Sequence, residues 1–215
     1  MKQSRNQGFS GANNIGVEAS AGDWLVLLNP DTVLTSGWLS GLIRHSRNDD
    51  TLGLLVPVTN SAGNEALIEC RYESLAGMTK LADQLSQAER DKEYPLEVAP
   101  LFCTLISRKV WDKVGPLDVE FKVGMFEDDD YSIRVRRKGL RIAAAEDVFV
   151  HHFGGGSFKA LDETLYRNVF QKNRERFEQK WRTRWRPHQY RPGIEKPNLE
   201  ITPQRFHAGE HLNSW

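Results

Sequence analysis

Residues 24–28, WLVLL, are apolar without a break and stop abruptly at Asn29-Pro30-Asp31-Thr32. A strand with no polar alternation must be covered on both faces, which calls for a sheet held between layers of helices. A second buried strand is predicted at 52–56 and a third at 101–107. Trp38, Leu39, Leu42 and Ile43 recur at the helical period from Ser36 onward. Further helical segments are read at 75–90, 109–114 and 161–181, with a first short helix at 13–21 closed by Gly22. Short strands are expected at 141–145 and 148–151. This alternation predicts an α/β domain with a mostly parallel sheet flanked by helices.

A chain of 215 residues supports one sizeable core, so one domain is expected. Lys plus Arg and Asp plus Glu stand at 29 each, a balance that gives nucleic acid no footing. Cys70 and Cys103 are the only cysteines and lack metal-type spacing, which fits a reduced, cytoplasmic protein. The opening residues, MKQSRNQGFSG, carry no apolar signal-type segment, and no apolar run approaches a membrane span. Any membrane contact is therefore expected to be peripheral.

Three stretches carry chemistry. Asn29-Pro30-Asp31 ends a buried strand, and in open α/β sheets ligands bind beyond the carboxyl ends of strands. Asp31 offers a carboxylate oxygen and Asn29 a carbonyl oxygen, donors that suit Mg²⁺ or Mn²⁺; the same residues also make an ordinary strand-ending turn. In residues 124–139, GMFEDDDYSIRVRRKG, four acids open a helix that ends in Arg134, Arg136, Arg137 and Lys138. Complementarity with the helix dipole and an Asp130–Arg134 pair account for one or two of these carboxylates. Successive helical residues fan out by about 100°, so at least one acid points into whatever lies beside the helix start. Residues 148–158, VFVHHFGGGSF, set His151 and His152 at a strand end, where adjacent side chains face opposite ways and only one can join a given site. The glycines behind them let backbone amides approach an anion or a loop move, and plain surface loops carry such runs too.

Taken in this order, the three stretches resemble family 2 glycosyltransferases of the GT-A fold, nearest to bacterial surface-polysaccharide and rhamnosyltransferase-like members. NQGFSGANNIGVEASAGDWLVLLNPDTVLTSGWL is similar to the middle of that family's donor domain, and VGPLDVEFKVGMFEDDDYSIRVRRKGLRI to its acceptor half. KNRERFEQKWRTRWRPHQYR is similar to its carboxyl-terminal segment. The resemblance implies a partial GT-A domain over 1–191, with 192–215 as a tail. It also implies an N-terminally truncated, Rossmann-like sheet, because the family's first nucleotide-reading strands have no counterpart ahead of residue 24. A sheet edge left open in this way would favour a homodimer.

The resemblance further implies transfer of a sugar from a nucleoside-diphosphate donor, UDP or dTDP type, to a glycan or lipid-linked acceptor, with inversion and with Mg²⁺ or Mn²⁺. Asp31 stands at the family's DxD position as metal ligand. Asn29 replaces the first Asp and, with Asn13 and Asn14, falls on the donor side. His151 or His152 completes the metal shell, His151 being taken first. Glu127-Asp128 stands at the family's ED pair, with Asp128 as general base, and Asp129 and Asn60 fall on the acceptor side. The rival reading is a non-catalytic carbohydrate- or partner-binding module derived from such an enzyme. Residues 167–191 carry nine Lys or Arg with interleaved aromatics, which suits either packing on the domain or contact with an anionic inner membrane face that bears a lipid-linked acceptor.

Overall fold

The computed structural model describes residues 5–47, 49–122, 124–154 and 163–194. In chain order these form α1 (Gly8–Glu18), β1 (Trp24–Leu28), β2 (Thr32–Leu34), α2 (Trp38–Ser46), β3 (Leu52–Val58) and α3 (Leu75–Ala88). There follow β4 (Glu93–Pro95), β5 (Cys103–Ser107), α4 (Arg108–Val114), α5 (Glu127–Arg137), β6 (Arg141–His152) and α6 (Glu163–Trp181). The α/β reading holds, and each long predicted helix is present. Residues 155–157 of the glycine stretch and 195–215 of the tail lie outside the described residues.

The strands order as β1-β5-β3-β6-β2, with β4 added to β6. β1, β3 and β6 run in one direction, but the reversed β5 lies between β1 and β3. β2 and β4 also pair antiparallel with β6. Among the described pairings only β3 with β6 is parallel, so the sheet is mixed rather than mostly parallel. Burial on both faces was the basis of that expectation, and a reversed strand inside the sheet is buried on both faces just as well: Cys103 to Leu105 of β5 are fully covered. Strand direction leaves no trace in the apolar pattern.

Every residue of β3 is buried. On one side of the sheet, Leu54, Val56, Ile106 and Ile142 pack with Val17 of α1, Met78 of α3, Trp111 of α4 and Val135 of α5. On the other, Leu55, Leu105 and Ala143 pack with Leu42 of α2. A third cluster joins Phe121 and Phe126 to Phe177 of α6, with Phe170, Trp181 and Trp185 around it. The basic aromatic segment thus packs its rings on the domain.

β6 was expected as two short strands, and the register explains why. Pro57 of β3 faces Ala145 whereas Val58 faces Phe149, so β6 bulges outward around Glu146 and Asp147 without ending. A proline in a central strand fits at such an irregularity, where a ladder bond is lost in any case. A second register shift flanks Gly53, where a Cβ would sit 2.4 Å from Val135 Cγ1 and 2.9 Å from Leu140 Cβ. Gly53→Ala is accordingly expected to lower unfolding stability by about 1–3 kcal/mol, read as a reduced urea midpoint at unchanged slope.

Candidate active site

β1 ends at one side of the sheet, yet β2 begins four residues later against the far end of β6. Residues 29–31 therefore cross the edge where β1, β3 and β6 finish. Asn29 N–H is held by the Phe102 carbonyl at 2.7 Å, and Phe153 N–H donates to the Asp31 carbonyl at 2.9 Å. Thr32 lies opposite His152 in the β2–β6 ladder. The result is a short contact between distant parts of the chain: His152 Nε2 lies 3.4 Å from Asp31 Oδ1.

His152 is oriented with care. Its Nδ1–H donates to the Ser61 carbonyl at 2.9 Å, and Phe102 stacks on the ring at 4.7 Å between centroids. With Nδ1 committed as a donor, Nε2 is the ring nitrogen turned toward Asp31; it is buried and has no hydrogen-bond partner among the described residues. A carbonyl on one ring nitrogen and a free lone pair on the other is how a metal-binding imidazole is usually held. His151 turns to the opposite face, fully buried, with its Nδ1 2.6 Å from the Tyr72 hydroxyl. Burial, together with the neighbouring His152, holds its pKa down at about 4. Of the two histidines, it is His152 and not His151 that meets Asp31.

The asparagines take other work. The Asn60 amide donates to the His152 carbonyl at 3.1 Å and accepts from its N–H at 2.8 Å. Asn60 clamps the backbone that carries His152. Asn14 accepts from Leu117 N–H and donates to the Leu117 carbonyl, both at 2.9 Å, tying α1 to the segment after α4. Asn13 bonds within its own helix to the Phe9 carbonyl. The expected donor-side contacts of Asn13 and Asn14 are thus spent on the scaffold, because each amide finds a backbone partner close by; Asn29 stays half-buried at the strand end.

The acid run divides in two. Asp130 is fully buried and bonds Arg134 Nε at 3.0 Å, Trp181 Nε1 at 3.0 Å and Lys180 Nζ at 2.6 Å. Asp129 accepts from His188 at 2.9 Å and from Trp185 at 3.2 Å, so it faces the segment after α6 rather than open solvent. Glu127 and Asp128 remain. Asp128 Oδ1 accepts from Asp129 N–H, and Glu127 Oε2 is buried without a hydrogen-bond partner among the described residues. Burial first, and then the charge of the adjacent acid, pushes both carboxyls well above the usual range.

The turn feeding this helix is strained. Met125 and Phe126 both have positive φ, at 76° and 72°, in a region that non-glycine residues rarely adopt. Asn173 of α6 secures it, its buried amide donating to the Gly124 carbonyl at 2.8 Å and the Met125 carbonyl at 3.2 Å. Backbone strain of this kind gathers at functional sites, where the surroundings over-determine it.

Residues 1–115, more than half of the chain, match the model of Glycosyl transferase family 2. The chain belongs to that family. A curated relative from Sinorhizobium fredii, described as "Uncharacterized protein y4gI", is 22% identical over 96% of this chain, which spans about a quarter (23%) of that relative's length. Two solved structures share the fold. GalNAc-T7 with UDP, GalNAc and Mn²⁺ matches at a TM-score of 0.54 and 17% identity, over 71% of this chain and 31% of that one. The Pyrobaculum calidifontis mannosyltransferase PcManGT, in complex with GDP-Man and Mn²⁺, matches at 0.54 and 13%, over 87% and 47%. The GT-A-like fold implied by the sequence is the fold of this glycosyl transferase family 2 chain. Among its described residues no helix is long and apolar enough to cross a membrane.

A second cluster of this glycosyl transferase family 2 chain gathers metal-type atoms of His45, Asp91 and Asp147 within 4.8 Å. It is already filled with positive charge. Both His45 nitrogens bond carboxylates, Glu93 at 2.9 Å and Asp147 at 2.7 Å, and Arg44 pairs with Asp91 and Asp147. Burial lowers the His45 pKa, but the bonds to Asp147 and Glu93 outweigh it and raise the value to about 9. That stabilisation is complete below the ordinary 6.5 and lost as pH rises through about 9. Unfolding stability should therefore decline across this window, and His45→Asn should flatten the decline in a pH series of urea melts.

Proposed function

We propose that this chain carries the catalytic half of a metal-dependent, inverting glycosyl transfer from a nucleoside-diphosphate sugar to a glycan or lipid-linked acceptor. The observation that carries the reading is the meeting of Asp31 with a bare, buried His152 Nε2 at the strand ends of a family 2 domain. Asp31 and His152 fit a divalent cation, Mg²⁺ or Mn²⁺, by charge and by tautomer. When bound, such an ion supplies stabilisation of the negative charge that develops on a departing diphosphate. The Mn²⁺ and nucleotide-sugar complexes of the two similar structures support this choice of partners.

The protein's own residues do the rest. Asn60, Ser61 and Phe102 hold the His152 ring in one orientation, so that little is lost in ordering it when a ligand arrives. Asp128 accepts the proton of the acceptor hydroxyl as its oxygen bonds to the anomeric carbon and the carbon–oxygen bond to the diphosphate breaks with its electron pair. Attack by the acceptor oxygen from the face opposite the leaving group inverts configuration. A carboxyl with a raised pKa is the stronger base for this purpose, and Glu127 beside it is raised as well, by burial and by the Asp128 charge. The open edge of β1 supports pairing with a second copy or with further strands, and exposed Arg182, Arg184 and Arg186 support peripheral contact with an anionic surface.

Calorimetry with UDP and Mn²⁺ tests the first half of this reading. Asp31→Ala and His152→Ala should each weaken Mn²⁺-dependent binding at least tenfold, whereas His151→Ala should lower stability and leave binding in place; no metal-dependent binding by the wild type would favour a plain carbohydrate-binding module. Asp128→Asn should cut transfer by about 10²–10⁴-fold with binding retained. In the wild type, kcat/KM should rise with pH as the base loses its proton, with a midpoint above the ordinary carboxylate range.

A further inference from the structure

The segment after α6 does more than cover the aromatic cluster. Trp185 closes that cluster, 5.3 Å from the Phe126 ring and 5.5 Å from Phe170. The chain then continues over the start of α5 to a second anchor at Arg191, which bonds Glu146 at 2.7 and 2.9 Å and lies 4.3 Å over the Tyr94 ring. Between the two anchors it delivers His188 Nε2 to Asp129 Oδ1 at 2.9 Å, beside the acid pair. Trp185 Nε1 donates to the same oxygen, so Asp129 is held from two points of one strap.

We infer that His188 is a positioning residue for the proton-accepting pair, a cation brought by the strap that keeps the helix-start carboxylates in place and Asp128 ionisable. The inference rests on the reading of Asp128 as the base. The charged groups that face His188 are Asp128 and Asp129 from α5 and Glu65 from the loop after β3. Burial lowers the imidazole's pKa, but the bond to Asp129 and these three negative charges outweigh it, and the ring titrates above its ordinary value. The effect is mutual: the His188 charge opposes the burial and the Asp129 charge that hold Asp128 high. A purely structural strap could use any donor at 188; a titrating cation is needed only if the charge on its neighbours matters.

The test is carboxyl and imidazole NMR titration of the full chain, labelled at Asp and His, with no donor or acceptor present. In wild type, His188 should titrate above 6.5. In His188→Gln, which can still donate one hydrogen bond to Asp129, the Asp128 midpoint should move up by about one pH unit, a tenfold weaker acid. Superimposed Asp128 curves would overturn the inference, as would a wild-type His188 titrating at or below its ordinary value, which requires no variant to fold. UDP–Mn²⁺ calorimetry on the same samples keeps the two ideas apart. Lost binding in wild type counts against the sugar-transfer reading, while the Asp128 shift alone decides the role of His188.

Discussion

The ladder between β2 and the end of β6 is the contact on which the candidate site depends. It is only three residue pairs long, but it fixes where residues 29–31 pass over the sheet edge and which histidine they meet. A slip of one residue would bring His151 toward Asp31 and bury His152, since adjacent strand residues face opposite ways. Three features oppose that slip. Asn60 pins both backbone groups of His152, Thr35 Oγ1 bonds the Phe149 carbonyl, and the buried His151 is already packed against Tyr72 and Phe153.

The helix-start acids are organised by α6 and the strap behind it. A helix that opens with four acids, two of them buried, would be unstable alone, and the compensating donors come from more than forty residues further along the chain: Trp181 and Lys180 for Asp130, Trp185 and His188 for Asp129. The same helix holds the strained turn at Met125 and Phe126 through Asn173. With the inner two acids paired to these partners, the half-buried outer two keep raised pKa values. The strand-end contact is firmly tied, whereas the ionisation of the helix-start carboxylates is set by their neighbours.

The acid run shows how far a sequence reading carries. The fan of side chains around a helix correctly separated the four carboxylates into groups with different surroundings, and the Asp130–Arg134 pair follows from their spacing alone. Asp129, expected on the acceptor side, is bonded to Trp185 and His188, partners that have no local signature. Asn14 and Asn60 likewise bond distant backbone groups. An amide in a loosely patterned stretch looks the same whether it meets a ligand or a backbone 92 residues away, as Asn60 does. Tyr72, Phe102 and Asn173 were missed as supports because each acts through contacts with residues far away in the chain.

The sequence by itself determined the layered α/β architecture, the positions of α2 to α6 and the ordered strand-end and helix-start clusters, while α1 starts five residues earlier than its expected 13–21. All of these depend on periodicity or on residues close together along the chain. Tertiary structure decided the direction of β5, the joining of the two short strands into β6, the choice of His152 over His151, and the closure of the strap on Asp129. Those outcomes turn on register and on which distant surfaces meet, and neither is encoded in a local pattern of apolar and polar residues.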